Sequence, residues 1–369
     1  MGIKTLSKKA NESVHSKARR YNYIDSLRGL AAVSVIWYHI LEFGTPHNAV
    51  DRLARWLLFD QIDLGKVAVI VFFGVSGYVI PYSLLRPSSH PLRDFVISRF
   101  FRLYPVYWVS IFCGAILLYV IPGKSLPFHV VALNITMLQQ FFGAENIIGV
   151  YWTLQIELIF YFFCAAMFFF GVFRRPKVIV AWVWLMLGFA ALLAVLRYKT
   201  GKSLPVALPL SLSVMYFGYI WRSYTLLGES RLKPYVLSMI IGFIVLLPII
   251  SEFAYGDEAL QYTLTYYIAL GCFILGTTSR KLNWSATAYL GKISYSLYLF
   301  GSLWSVVASY LSYQIFGYGN IEFVIITATA FSIVFSSLTY KLVEAPSIAC
   351  GRAISQSWSG RLVGLTPSV

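Results

Sequence analysis

Apolar runs of roughly membrane-crossing length recur along the chain, separated by short polar segments. About 20 apolar residues in a helix cross the hydrocarbon core of a bilayer. The runs predict spans at 24–43, 66–85, 103–121, 150–172, 178–196, 205–221, 235–251, 259–277, 288–313 and 320–342. The 205–221 run is short, with Pro205 and Pro209 near its start, and 288–313 is long for one crossing. The expected fold is an all-α polytopic membrane protein with about ten transmembrane helices. An even number of crossings puts both termini on one side.

Charge orients that arrangement. With both termini cytoplasmic, the inner segments hold about three times as many Lys and Arg residues as the outer ones, as positive-inside topology requires. The basic outer loop 197–202 is the exception, which a re-entrant pair at spans five and six would remove. Three regions follow: a cytoplasmic tail 1–22, a membrane domain 23–346 and a cytoplasmic tail 347–369. The longest outer loop, 122–149, carries His129, Asn134, Gln139, Gln140 and Glu145 and is expected to re-enter the membrane in part or to cover a site.

Composition excludes the other classes. Of 369 residues, 58% are hydrophobic, 17% aromatic and only 12% charged. Soluble domains carry about 25% charged residues, so this chain cannot coat a soluble surface of its size. The formal net charge of +15 would suggest nucleic acid in a soluble protein. Here the basic residues sit between apolar runs, and no nucleic-acid partner is expected. Cys113, Cys164, Cys272 and Cys350 are far apart and form no CxxC, so no disulfide framework and no metal site are expected.

Ionisable residues inside spans are costly in lipid and mark functional sites or buried pairs. In YIDSLRGLAAVSVIWYH, residues 23–39, Arg28 and His39 are 11 residues apart and share a helix face, about 16 Å apart along the axis. Asp25 is placed to pair with Arg28, and Gly29, Ala31 and Ala32 allow close packing. An imidazole accepts and returns protons near neutral pH. The alternative is that Arg28 snorkels to headgroups and His39 makes one structural hydrogen bond.

In VISRFFRLYPVYW, residues 96–108, Arg99 and Arg102 stand one turn apart, followed by Pro105, Tyr107 and Trp108. Paired guanidiniums suit phosphates or a buried carboxylate, and they also anchor spans to anionic lipid. In GVYWTLQIELIFYFF, residues 149–163, Gln155 and Glu157 lie in an apolar run beside Trp152 and Tyr161. Glu157 must be paired, protonated or open to a cavity, with Arg28, Arg99 or Arg102 as candidate partners. FFGVSGYVI, residues 72–80, offers Gly74, Ser76 and Gly77 for tight packing, and Glu344 beside Pro346 is placed to meet an inner arginine. These residues suit acyl or phosphoryl transfer, and equally a proton-coupled transporter.

The ordered motifs resemble the integral-membrane acyltransferase family 3, which includes polysaccharide O-acetyltransferases. The resemblance runs from Tyr23 to about Pro346, through IDSLRGLAAVSVIWYH, FFGVSGYVI, SRFFRLYPVYW, YWTLQIELIFYF, GKISYSLYLF and YKLVEAP. Its matched positions include Arg28, His39, Arg99, Arg102, Pro105, Tyr107, Trp152, Leu154, Glu157, Ser294, Tyr295, Tyr298, Glu344 and Pro346. Where relatives often carry a histidine after the SYSLYL run, this chain has Gly301. The resemblance implies transfer of an acetyl group from acetyl-CoA to a hydroxyl of a surface or lipid-linked glycan, in a bacterial inner membrane. It implies His39 as base or acyl relay, Arg28, Arg99 and Arg102 as donor-binding residues, and Glu157 as orienting the arginine network or a proton-bearing group. Asp25, Ser76, Tyr107, Trp152, Tyr295 and Glu344 would support the site. No permanently bound cofactor or metal is implied; membrane lipid is a partner, and a homo-oligomer is compatible. Succinyl transfer, a transporter and a non-catalytic partner in glycan export are the alternative readings.

Overall fold

The computed structural model describes residues 22–43, 46, 48–279, 281, 282 and 284–363, with side-chain surroundings up to residue 357. Except for Asn22, the expected tail 1–22 lies outside these residues, as do 364–369. Among the described residues the chain is all-α. Its long helices are α1 (Asn22–Phe43), α2 (Leu64–Val79), α3 (Pro91–Ala115), α4 (Tyr151–Phe169), α5 (Pro176–Thr200) and α6 (Ala207–Thr225). They continue with α7 (Lys233–Tyr255), α8 (Ala259–Ser279), α9 (Ser294–Phe316), α10 (Ile321–Thr339) and α11 (Ala345–Val363).

Six stretches of the described chain are long and apolar enough to cross a membrane: Leu64–Leu84, Pro91–Val120, Tyr151–Phe169, Pro176–Thr200, Ser230–Ser279 and Ile321–Ser357. Ser230–Ser279 contains both α7 and α8, which turn at Gly256, where φ is +54° and a side chain would be strained. The protein is therefore an integral membrane protein with several spans. Helices α1, α6 and α9 fall outside this set and carry more polar side chains. Helix α6 is buried continuously from Pro209 to Trp221, so its serines and tyrosines meet protein rather than lipid. Phe112, Phe162, Leu185, Ile244, Leu275 and Ile326 are exposed on other helices, the reverse of a soluble fold and the pattern of a lipid-facing belt.

Glycines set the closest approaches. A Cβ on Gly77 of α2 would stand 1.7 Å from the Met215 carbonyl oxygen of α6, and one on Gly218 of α6 would stand 2.3 Å from that of Gly74. The two backbones cross in direct contact, as the small residues of FFGVSGYVI predict. Gly29 of α1 likewise lies against the carbonyl of Thr287, and Gly291 against that of Asp25. The 288–313 run is thus not one helix. Ser285–Lys292 is a separate short helix docked on α1, and the backbone breaks at Ile293 before α9 begins.

Two other expectations change. Helix α3 starts 12 residues before the predicted span, because Pro91 sits in its first turn with φ already suited to a helix. The expected polar tail begins with a helix: Ala345–Val363 forms α11, which lies on α3, where Gly351 leaves room for Phe101 and Ser355 Oγ donates to Asp94 at 2.6 Å.

Candidate active site

The α2–α6 crossing and the docking of α1, α3, α4, α9 and α11 around it enclose a cavity of about 460 Å³. Six arginines line it: Arg28, Arg86, Arg99, Arg102, Arg222 and Arg352. The carboxylates on its wall are Asp25 and Glu157, and Ser76 and Tyr295 also face it. The sequence-predicted residues Asp25, Arg28, Ser76, Arg99, Arg102, Glu157 and Tyr295 thus meet in one place, although they come from five helices.

Three of these arginines are held by neighbours. Arg102 Nη1 lies 3.4 Å from Glu344 Oε1, and Ser296 donates to the other carboxylate oxygen at 2.8 Å. Glu344 is completely buried, so Arg102 offsets a carboxylate that lipid and protein could not otherwise solvate. Arg99 sits over the rings of Phe95 and Tyr161, at 5.4 and 5.6 Å. Glu157 faces the cavity, one of the three situations open to it, and Tyr161 donates to it, so a phenol joins it to the arginine cluster. Arg222 donates to the Tyr78 carbonyl at 2.8 Å and covers the Tyr82 ring at 4.1 Å.

Arg28 differs. It faces the cavity and forms no ion pair or hydrogen bond with another described residue; Asp25 shares the cavity without reaching it. Asp25, Glu344 and Glu157 act on the charge of Arg28 from beyond ion-pair distance, and its N–H donors are open to an anion entering the cavity. Arg86 and Arg352 are exposed, also without a partner among the described residues, and extend the positive surface outward.

The remaining predicted residues lie elsewhere. His39 stands at the other end of α1, beside Tyr38, whose ring packs on Gly65 at the start of α2. It does not line the arginine cavity; its Nδ1 is 2.8 Å from Glu42 Oε2. Tyr107 is buried and donates to the Asn134 carbonyl at 2.7 Å, tying α3 to the 122–149 segment. That segment folds over the C-terminal half of α3, with Asn134 bonded to Val130, Glu145 and Ile147. Trp152 faces a second cavity of about 230 Å³. Gly301 lies against α1, where a Cβ would come within 2.6 Å of Ile36, so a histidine there would need the helices to separate.

The sequence places Arg86 with Arg93 in a basic patch beside Arg99 and Arg102, whereas Arg222 and Arg352 look like ordinary loop and tail charges until α6 and α11 bring them to the cavity. Tyr161 was legible as a neighbour of Glu157 one turn on, and Glu42 as a carboxylate three residues after His39. All four cysteines are free, and among the described residues no group of three His, Cys, Asp or Glu could hold a metal ion.

Comparison with known proteins bears on this site. The acyltransferase domain family, acyltransferase family 3, matches residues 21–341. Nodulation protein 10 of Rhizobium leguminosarum bv. viciae is 29% identical over 170 residues, 40% of this chain and 44% of that protein. Acyltransferase MdmB of Streptomyces mycarofaciens is 24% identical, covering 60% of this chain and 57% of its own length. Peptidoglycan O-acetyltransferase OatA of Listeria monocytogenes is 26% identical, covering 75% and 48%. The chain spans about half the length of these curated relatives. No solved structure matches.

Proposed function

The chain belongs to this membrane acyltransferase family, and we propose on that premise that it moves an acetyl group from acetyl-CoA to a hydroxyl of a surface or lipid-linked glycan. The observation that carries the reading is Arg28, a guanidinium with no hydrogen bond or close ion pair among the described residues, in a cavity lined by five further arginines. Such a cavity suits a donor bearing several phosphates. Arg28, Arg99 and Arg102 would bind the donor, with Asp25, Ser76, Tyr295 and Glu344 shaping the cavity around them. Glu157, hydrogen-bonded by Tyr161, would keep Arg99 oriented.

His39 would be the general base. The acceptor oxygen attacks the thioester carbonyl as its proton passes to the imidazole. The new C–O bond forms, the C–S bond breaks, and the proton leaves on the CoA thiol. About 16 Å of helix separates Arg28 from His39, so the donor's extended arm would carry the thioester away from its anchored phosphates. The reading takes ten crossings with both termini cytoplasmic, a membrane domain at 23–346, and a bacterial inner membrane. The acceptor would be a glycan, as the name of the Listeria relative says of that protein.

The test is transfer of isotope-labelled acetyl from acetyl-CoA in vesicles that contain the native glycan and lack related transferases. Wild type should label the glycan and His39→Ala should not, at matched protein levels. Equal labelling would remove His39 as the base. Absence of label in both, with succinyl-CoA as well, would favour a transporter.

A further inference from the structure

The second cavity, about 230 Å³, has no assigned role. It shares Val69 and Phe73 with the arginine cavity, so one turn of α2 is the wall between them. Its other residues come from the opposite ends of the helices. Lys66 opens α2, Trp152 opens α4, Ala207 opens α6, and Tyr255 and Tyr262 flank the α7–α8 turn. The arginine cavity instead gathers Arg222 from the end of α6, Arg28 and Arg99 from the first halves of α1 and α3, and Arg352 from α11. The two chambers therefore face opposite ends of the bundle and meet back to back at Phe73.

Their chemistry differs as much as their position. The second chamber is walled by aromatic rings: Trp152, Tyr266 and the stacked pair Tyr255 and Tyr262, whose centroids are 3.5 Å apart. Its ammonium group, Lys66, is neutralised by Asp63 at 2.9 Å and lies over the Tyr262 ring at 3.8 Å. A compensated cation does not select an anion. Tyr266 is only 4% exposed, lines the chamber, and its hydroxyl has no hydrogen-bond partner among the described residues. A hydroxyl open to the chamber and without a protein partner can bond a ligand or water there.

We propose that this chamber is a subsite for a neutral pyranose ring, the acceptor sugar of the transfer reaction. The inference rests on the acyltransferase reading for the word acceptor; the binding chemistry rests on the chamber alone. The Trp152 side chain covers the apolar C–H face of the ring, the Tyr266 hydroxyl bonds one of its hydroxyls, and a chamber of about 230 Å³ suits one sugar ring. Phe73 stands between the two chambers, so the thioester arm that leaves the arginine cavity must pass this ring to reach a hydroxyl held there.

Equilibrium binding of radiolabelled n-octyl β-D-glucopyranoside to the full chain, purified in a sugar-free detergent, tests the subsite without needing transfer. Wild type should bind it saturably. Tyr266→Phe, which removes one oxygen and no packing, should weaken binding about fivefold, the worth of one hydrogen bond. Ser211→Trp, which fills the chamber from α6, should abolish it, while acetyl-CoA binding stays within twofold of wild type for both. No saturable binding, or binding indifferent to both variants, would overturn the proposal. Saturable, Tyr266-dependent binding in a protein that transfers no acyl group would keep the sugar site and overturn the acyltransferase reading instead.

Discussion

Glu42 places a carboxylate oxygen 2.8 Å from Nδ1 of His39, one helical turn further along α1. A carboxylate on Nδ1 fixes the tautomer in which Nε2 is the proton acceptor, and it stabilises the imidazolium that forms when a hydroxyl gives up its proton. If His39 is the base, Glu42→Gln should lower kcat for acyl transfer by about tenfold or more. The acetyl-CoA KM should stay near wild type. A variant with unchanged kcat would mean that the pair is structural.

Arg102 and Glu344 form an ion pair whose carboxylate is wholly buried. Removing one member strands the other, at a cost of about 3 kcal/mol. Arg102→Met should lower the unfolding temperature in detergent markedly. The double variant Arg102→Met with Glu344→Gln should regain a large part of that loss, because no uncompensated charge remains. Additive losses would show that the two side chains are not coupled.

The α2–α6 crossing should tolerate no side chain at Gly77, where a Cβ would stand 1.7 Å from backbone oxygen. Gly77→Ala is expected to cost more than about 3 kcal/mol, or to abolish recovery of folded protein. Gly188→Ala on α5 meets nothing within 4 Å and should fold as wild type. Size-exclusion profiles and thermal unfolding compare the two directly. Equal behaviour would show that the helices are further apart than described.

Arg352 enters the cavity from α11, after the last predicted span. A charge-assisted hydrogen bond to a donor phosphate is worth about tenfold in affinity. Arg352→Ala should therefore raise the acetyl-CoA KM about tenfold, with kcat little changed. Unchanged KM would take α11 out of the donor site.

The parts of this site that could be read in the chain are those where a charge interrupts an apolar run. Arg28, Arg99, Arg102 and Glu157 stand out because lipid would penalise them, and they do meet in one cavity. Arg222 falls at the end of α6 and Arg352 after the last predicted span, where basic residues are common, so only the packing of α6 and α11 distinguishes them. The helix break at Ile293 was hidden for a similar reason. Gly291, Lys292 and Ser294 flank it inside a longer apolar run, and Gly291 packs against the backbone of Asp25, a tertiary contact that the run does not reveal. Helical periodicity put Arg28 and His39 on one face, but it carries no information on which end of a cavity each would meet. The wall at Val69 and Phe73 is beyond sequence altogether, since nothing in an apolar turn marks it as a partition.

The most direct measurement compares Arg28→Gln and His39→Ala in the labelled acetyl-transfer assay, with acetyl-CoA binding to each purified protein determined alongside. An arginine cavity for the donor and a base at the far end of α1 predict a split. Arg28→Gln should weaken acetyl-CoA binding at least tenfold. His39→Ala should bind acetyl-CoA as wild type does and transfer no label. Acetyl-CoA binding that survives Arg28→Gln unchanged, or label transfer that survives His39→Ala, would contradict the proposed division of labour along α1.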